Sequence, residues 1–300
     1  VEAGDLAAPG TPTPGGRILF VKNGQLWRWR DGNVGVLASN ARFADPSWSP
    51  DGRRIAVVQQ GTNHSDLFVY DAQSMRATQL TRHWSSISVQ TSAWARQPAW
   101  SPDGGRIVYV SDLGCFRNDT RICEPGLWVV NVPGGTPRQI LRKPPFTGGV
   151  DWPTWSPDGK ELAYTTYPNG TSQIQVLTLA TGRLRDLTHV EGGAYDPAWS
   201  PDGERIAFVF REQRKHVLAL MAPDGQSVVR LVEADMARSP TWSPDGNYLA
   251  YVAQNGQSFE IFVVQVPRWG ELSSTDVPLP MKQLTQNLNV EAQSGISWVS

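Results

Sequence analysis

Residues 47–58 read SWSPDGRRIAVV, which is a tryptophan, a turn tetrapeptide and a strand-length apolar run. Four more copies of this pattern follow, all with the letters W-S-P-D-G. They are AWSPDGGRIVYV from Ala99, TWSPDGKELAYT from Thr154, AWSPDGERIAFV from Ala198 and TWSPDGNYLAYV from Thr241. Pro fixes φ at the first central turn position and Gly supplies a positive φ, so the motif predicts a turn between strands. We therefore interpret it as structural, with the tryptophan filling space between repeated units.

A sixth copy is divided between the two ends of the chain. Its tryptophan is Trp298, within ISWVS at 296–300, and its turn and strand are PGGRILFV at 14–21. A divided repeat allows an array of units to close into a ring, and closure removes exposed strand edges. We therefore predict that a C-terminal strand joins the N-terminal blade.

Each copy continues with further strand-like segments. The motif strand is followed by a second apolar run, such as LFVYD at 67–71, and then by a short segment that ends near Leu80. Near-continuous apolar runs are typical of strands buried on both faces. The pattern predicts an all-β, six-bladed β-propeller that occupies 14–300 as a single domain, preceded by a tail or linker at 1–13.

The W-S-P-D-G turn, followed by an Ile/Leu-Ala-aromatic/Val strand, resembles the WD-repeat-like unit of the TolB-type propeller family. The resemblance extends over about residues 14–300. That family includes periplasmic accessory proteins of cell-envelope complexes, sensor ectodomains and the non-catalytic propellers of some peptidases. The resemblance thus implies the propeller fold and several different functions.

Composition narrows the range of partners. Lys plus Arg number 27 and Asp plus Glu number 28, so a formal net charge of −1 gives no electrostatic basis for binding nucleic acid. No apolar run approaches the roughly 18 residues of a membrane helix, and we expect no membrane insertion of this segment. The opening VEAGDLAAPG has neither Met nor an apolar signal core, which favours a mature or excised fragment. We expect a monomer.

Three insertions distinguish individual blades from the common repeat, and two of them lie at neighbouring positions in the ring. One is the connection 82–96, and the other is 111–126, between the second and third strands of its blade. In a four-stranded meander, these two kinds of loop lie on one face of the ring, which we call the loop face. Every SPDG turn lies on the opposite turn face, together with a third insertion at 266–280.

Function in a repeat protein is expected where the copies differ. Trp84, Trp94 and Arg96 belong to the long connection, and Trp and Arg are enriched at interface hot spots. We therefore predict a non-catalytic module that binds a protein or peptide through the loop face, with these residues as leading contacts. The alternative is that these loops only cap the blades and that the 266–280 insertion on the opposite face does the binding.

Cys115 and Cys123 are the only cysteines, and both lie in the 111–126 insertion. We predict that they form a disulfide, because paired cysteines are typical of oxidising compartments. A bridge predicts a periplasmic or extracellular location; two free thiols in a reducing cytosol are the alternative.

The residues that begin each motif strand are expected to line the mouth of the central channel. Arg96 and Arg238 could hold a carboxylate, and Trp152 or Tyr195 could stack on a ring. The alternative is a solvated channel with local ion pairs.

Three carboxylates at the same strand starts, Asp45, Asp151 and Asp196, have the oxygen ligands that a hard cation such as Ca²⁺ prefers. They could instead serve the turns beside them. We predict no other cofactor and assign no metal site.

No catalytic motif is visible. The chain has no GxSxG nucleophile elbow and no glycine-rich phosphate loop, and its four histidines lack zinc-site spacing and are expected in solvated loops. We therefore assign no catalytic residues. Two other functions stay open: an enzyme acting on a carbohydrate or small ester at the channel mouth, and the sensor ectodomain of a membrane-anchored protein.

Overall fold

A computed structural model describes residues 15–85, 92–117, 120–267 and 279–300. Within them the strands form six antiparallel four-stranded sheets and one separate two-stranded hairpin. The innermost strands of the six sheets contact one another in cyclic order around a central channel. The predicted all-β, six-bladed propeller is thus confirmed. The predicted tail, 1–13, lies outside the described residues.

The blades are numbered in chain order, each from its innermost strand outward. Blade 1 consists of β4 (Phe43–Trp48), β5 (Arg54–Gln60), β6 (Ser65–Asp71) and β7 (Ala77–Gln79). Blade 2 consists of β8 (Ala95–Trp100), β9 (Arg106–Ser111), β12 (Glu124–Asn131) and β13 (Arg138–Lys143). Blade 3 consists of β14 (Val150–Trp155), β15 (Glu161–Thr166), β16 (Gln173–Thr178) and β17 (Arg183–Asp186). Blade 4 consists of β18 (Ala194–Trp199), β19 (Ile206–Glu212), β20 (Lys215–Met221) and β21 (Val229–Ala234). Blade 5 consists of β22 (Ala237–Trp242), β23 (Tyr248–Asn255), β24 (Ser258–Gln265) and β25 (Met281–Gln283). Blade 6 consists of β26 (Ser297–Val299), β1 (Arg17–Lys22), β2 (Gln25–Arg30) and β3 (Asn33–Ala38). The hairpin consists of β10 (Phe116–Arg117) and β11 (Thr120–Arg121), and short 3-10 helices occupy Pro168–Gly170 and Ala292–Ser294.

Blade 6 closes the ring with both ends of the chain. Strand β26 pairs antiparallel with β1, with Trp298 opposite Ile18. The Arg17 guanidinium also donates from Nε and Nη2 to the Ser300 carbonyl oxygen, at 2.9 and 2.7 Å. The predicted closure is confirmed.

The hydrophobic core is divided among the interfaces between adjacent blades. Each buried cluster combines side chains from two neighbouring blades, as with Ile107 and Tyr109 of blade 2 against Leu67 of blade 1. Second strands are buried along most of their length, whereas the short outermost strand β7 is exposed throughout. Burial on both faces explains why these strands are apolar at consecutive positions.

The SPDG turns are held by their own side chains. In blade 1, Ser49 Oγ donates to Asp51 Oδ1 at 2.5 Å, and the Arg54 amide donates to Ser49 Oγ at 2.9 Å. Gly52 has a φ of +64°. The hydrogen bond from Ser49 lowers the pKa of Asp51, so its carboxylate accepts bonds within the turn. These contacts support the structural interpretation of the motif.

Arginine stacking connects most blades to the next. An arginine at the start of a second strand places its guanidinium over the motif tryptophan of the following blade, 4.6–5.0 Å from the ring centroid. The four pairs are Arg17–Trp48, Arg54–Trp100, Arg106–Trp155 and Arg205–Trp242. A cation over an aromatic face is attractive, and the arginine stem covers apolar surface.

Ring closure can be tested with two matched tryptophan substitutions. Trp298 is 7% exposed in the closing strand, whereas Trp84 is 61% exposed on a loop. We expect Trp298→Ala to lower the free energy of unfolding by about 3–5 kcal/mol, because it removes a buried anchor. Trp84→Ala should cost less than about 1 kcal/mol. Urea denaturation measures both, and equal losses would contradict the closure.

Candidate functional site at the channel mouth

An unusual backbone conformation recurs around the channel. The residue three positions before each motif tryptophan has a left-handed backbone, with φ between +51° and +66°. These residues are Asp45, Gln97, Trp152, Asp196, Ser239 and Gly295. In blades 1 to 5 a register shift between the innermost and second strands accompanies it. A left-handed conformation is rare for bulky side chains, so Trp152 is the notable case.

Side chains at this position bind the backbone of the next blade. Asp45 Oδ2 accepts from the Gln97 amide at 2.8 Å, and Gln97 Oε1 accepts from the Trp152 amide at 2.9 Å. Asp196 Oδ2 accepts from the Ser239 amide at 3.0 Å. The mixed polar ring at the channel therefore connects neighbouring blades.

Trp152 extends across the channel. It belongs to blade 3, and Gly295 belongs to blade 6 on the opposite side of the ring. A Cβ atom at position 295 would lie 2.6 Å from Cζ3 and 2.7 Å from Cη2 of Trp152. Only glycine leaves room for the indole there. The predicted stacking residue Trp152 thus packs against the far side of the channel.

The two channel arginines are already paired. Arg96 Nη1 lies 3.6 Å from Asp151 Oδ1, and Asp151 Oδ2 accepts from the Tyr167 hydroxyl at 2.7 Å. Arg238 donates from Nε and Nη2 to the two carboxylate oxygens of Asp196, both at 3.1 Å. The Asp196 carboxylate raises the pKa of Arg238 further. These pairs agree with the alternative of local ion pairs, and a ligand carboxylate would have to compete with them.

The three carboxylates considered for a cation do not converge. Asp45 contacts Gln97, Asp151 contacts Arg96 and Tyr167, and Asp196 contacts Arg238. Across the described ranges, no group of three His, Cys, Asp or Glu side chains is arranged to hold a metal ion. Each of the three carboxylates therefore has its own hydrogen-bond or ion-pair partner.

An open pocket of about 580 Å³ lies at the channel mouth on the loop face. Blades 3 to 6 contribute to its wall, which combines aromatic, cationic and amide groups. Among the lining residues are Tyr167, Tyr195, Arg211, His216, Arg238 and Phe259. The sequence prediction included only Tyr195 and Arg238 of these.

The histidine prediction was wrong for two residues. His83 and His216 are 4% and 7% exposed. His216 Nδ1 contacts the Tyr195 hydroxyl inside the pocket and lies 3.3 Å from the Ala237 carbonyl oxygen. Burial lowers the pKa of His216, which keeps the imidazole neutral at pH 7. Its position in a short strand beside apolar neighbours, HVLALM, was the available signal.

The two loop-face insertions meet as expected. The Trp94 amide donates to Asp112 Oδ1 at 2.8 Å, and Cys115 and Cys123 form the predicted disulfide. Trp84 is 61% exposed and Trp94 37%. Residues 86–91 and 118–119 of these insertions, and 268–278 of the third, lie outside the described residues. That the exposed tryptophans are contacts stays a prediction.

Asp45 provides a pH-dependent test of the channel. Burial raises its pKa to about 7, from an ordinary value of 3.8 in the unfolded chain. The folded protein therefore binds an extra proton between these values, and its stability falls as pH rises from about 4 to 7. Asp45→Asn keeps an acceptor for the Gln97 amide and removes the fall in stability with rising pH. We expect equal stability at pH 4 and a more stable variant at pH 8, by roughly 2–4 kcal/mol. Denaturation at both pH values measures the difference in stability between the variant and the parent protein. A difference that is the same at both pH values would contradict the raised pKa of Asp45.

The packing of Trp152 against Gly295 can be tested by a double-mutant cycle. Gly295→Ala should lower the free energy of unfolding by roughly 1–3 kcal/mol, because the new methyl group displaces the indole. In the Trp152→Ala background the same change should cost less, since only backbone strain at a φ of +66° remains. Additive losses would mean that the two residues do not touch.

Comparisons with known proteins agree with this architecture. A family model described as the TolB beta propeller domain matches residues 127–272. Dipeptidyl-peptidase 5 of Porphyromonas gingivalis is 27% identical over 153 residues, which are 48% of this chain and 20% of that protein. The Tol-Pal system protein TolB of Alcanivorax borkumensis is 35% identical over 100 residues, 33% of this chain and 19% of that protein.

The aligned segments therefore span about a fifth of the length of these curated relatives. Among solved structures, TolB from Acinetobacter baumannii superposes with a TM-score of 0.73 at 20% identity. That alignment covers 96% of this chain and 68% of the other. The chain is thus a six-bladed β-propeller in which residues 127–272 match the TolB beta propeller domain and whose fold is similar to that of a TolB structure.

Proposed function

We propose that the chain is a non-catalytic module that binds a peptide segment of a protein partner on its loop face. The observation that carries the proposal is the pocket of about 580 Å³ at the channel mouth. It is open to solvent on the face that also carries the two insertions. Concave sites with a few convergent polar groups are the usual places for ligands.

The lining suits a peptide with a carboxylate group. Phe259 and Val290 provide apolar surface, and Asn23 and Asn289 provide amides that can bond a peptide backbone. Arg211 is exposed at the rim, and no carboxylate in the described part of the chain forms an ion pair with it. A free guanidinium can hold a carboxylate with two parallel hydrogen bonds.

The two exposed tryptophans extend this surface. Arg96, two residues after Trp94, pairs with Asp151, and Asp151 accepts a bond from Tyr167 of the pocket wall. Aromatic side chains contribute large contact area with little loss of conformational freedom. A segment seated in the pocket could therefore continue toward Trp84 and Trp94.

We further propose an exported location, periplasmic or extracellular. The disulfide between Cys115 and Cys123 supports it, because such bridges persist in oxidising compartments. In the described part of the chain, no helix has the length and hydrophobicity to span a membrane.

One observation favours the enzyme alternative, namely the contact between the Tyr195 hydroxyl and His216 in the pocket. Such a pair can transfer protons. Burial raises the pKa of Tyr195, so the hydroxyl stays protonated at neutral pH and is a poor proton donor. We therefore favour binding over catalysis.

Peptide selection tests the proposal. We expect peptides selected from a phage-displayed library to be acidic, and Arg211→Glu to weaken their binding about tenfold or more, because a charge-assisted contact is lost. Arg183→Glu is the matched control, since Arg183 is an exposed arginine outside the pocket. Fluorescence anisotropy measures affinity, and unchanged melting temperatures exclude misfolding.

Two results would contradict the proposal. One is that binding of every selected peptide is unaffected by both Arg211→Glu and Trp84→Ala. The other is turnover of a glycoside or ester that is lost in His216→Gln, which would support the enzyme.

A further inference from the structure

Two blade interfaces depart from the arginine–tryptophan pattern: Tyr248 takes the arginine position before Trp298, and Glu161 takes it before Trp199. At the start of β15 in blade 3, Glu161 occupies the position that holds arginine in the four stacked pairs. The following motif tryptophan is Trp199 of blade 4. A carboxylate is repelled by the negative face of an aromatic ring, so Glu161 cannot replace the guanidinium.

Trp199 is arranged differently from three of its counterparts. Trp100, Trp155 and Trp242 donate from Nε1 to a carbonyl of the preceding blade, at 2.9–3.1 Å. Trp199 Nε1 instead donates to the Gly203 carbonyl oxygen of its own turn, at 3.3 Å, and Trp298 Nε1 likewise donates to the Gly15 carbonyl oxygen, at 3.1 Å. Trp199 is also the one motif tryptophan that is only half-buried; the other five are 6–7% exposed.

The carbonyl that Trp199 binds is the one an arginine would take. At the interface of blades 1 and 2, Arg54 Nη2 donates to the Gly104 carbonyl oxygen at 3.0 Å. Gly104 and Gly203 are the same turn position in successive copies of the repeat. The missing arginine therefore leaves an aromatic face uncovered and a carbonyl oxygen that, among the residues the structure describes, accepts a bond only from the indole.

A cleft of about 710 Å³ lies at this interface on the turn face. Its charged lining residues are Asp158, Glu161, Asp202 and Lys160, which give it a net negative charge. Glu161 accepts a bond from Thr178 Oγ1 at 3.0 Å, and Arg185 Nη2 lies 3.5 Å from its other oxygen. Because its contact with Arg185 is loose, the Glu161 carboxylate can form an ion pair with a further cation.

We propose that this cleft binds an arginine side chain presented by a protein partner. The guanidinium stacks on Trp199, pairs with Glu161 and donates to the Gly203 carbonyl oxygen in place of the indole. Each of these contacts except the ion pair has a counterpart elsewhere in the same ring. Arginine is favoured over lysine because its planar group can stack and form several directed bonds at once. The site is on the opposite face from the pocket and does not depend on the proposed function.

The test follows the indole N–H resonance of Trp199 in ¹⁵N-labelled protein, assigned with Trp199→Phe, during titration with N-acetylarginine amide. We expect a saturable shift, and none with the uncharged citrulline analogue. Glu161→Gln should weaken the apparent affinity about fivefold, the effect of one exposed ion pair. Glu161→Arg should abolish the response and raise the melting temperature, because it supplies the stacked arginine from the chain itself.

Glu191→Arg is the matched control, since it reverses the charge of an exposed glutamate outside the cleft and should leave the titration unchanged. The proposal is overturned if the Trp199 resonance does not shift, or if the citrulline or lysine analogue acts equally well. An undiminished response in Glu161→Arg would also overturn it. If Glu161→Arg fails to fold, an unchanged affinity in Glu161→Gln would overturn the proposal instead.

Discussion

Every blade of this protein has two apolar faces and is stable only between two neighbours. This constraint explains why the core is divided among the blade interfaces and why the last strand returns to the first. An open array would leave two apolar faces and two strand edges in water. A motif tryptophan packs in the apolar cluster at every interface, and in the undivided copies the SPDG turn follows it directly.

The chemistry at the interfaces is more specific than hydrophobic contact. Guanidinium stacking covers the indole on the turn-face side, while backbone amides that donate to carboxylates such as Asp45 and Asp196 connect the blades at the channel. Both kinds of contact join consecutive blades and tolerate different residues at each copy. That tolerance lets two interfaces lack the arginine, at Glu161 and Tyr248, while the ring stays intact.

The repeat made most of the fold predictable from sequence. Blade number, closure through Trp298 and the shared face of the two insertions followed from local turn chemistry and from counting. The disulfide followed from there being only two cysteines.

The candidate site was less predictable, because its contacts join residues from different blades. Sequence reasoning placed Arg96 and Arg238 at the channel but could not show that Asp151 and Asp196 already neutralise them. It expected exposed histidines, whereas His216 is buried in the pocket wall. A left-handed tryptophan also leaves no sequence signal, since such positions ordinarily select glycine or asparagine.

The contact between Trp152 and Gly295 also relates a single side chain to the diameter of the ring. An indole has a fixed length, and here it reaches from one blade to the blade directly opposite. Duplication of a blade would widen the ring and separate the two residues, which would open the channel along its axis. Any evolutionary change in the number of blades would therefore also change what can pass through the centre of the molecule.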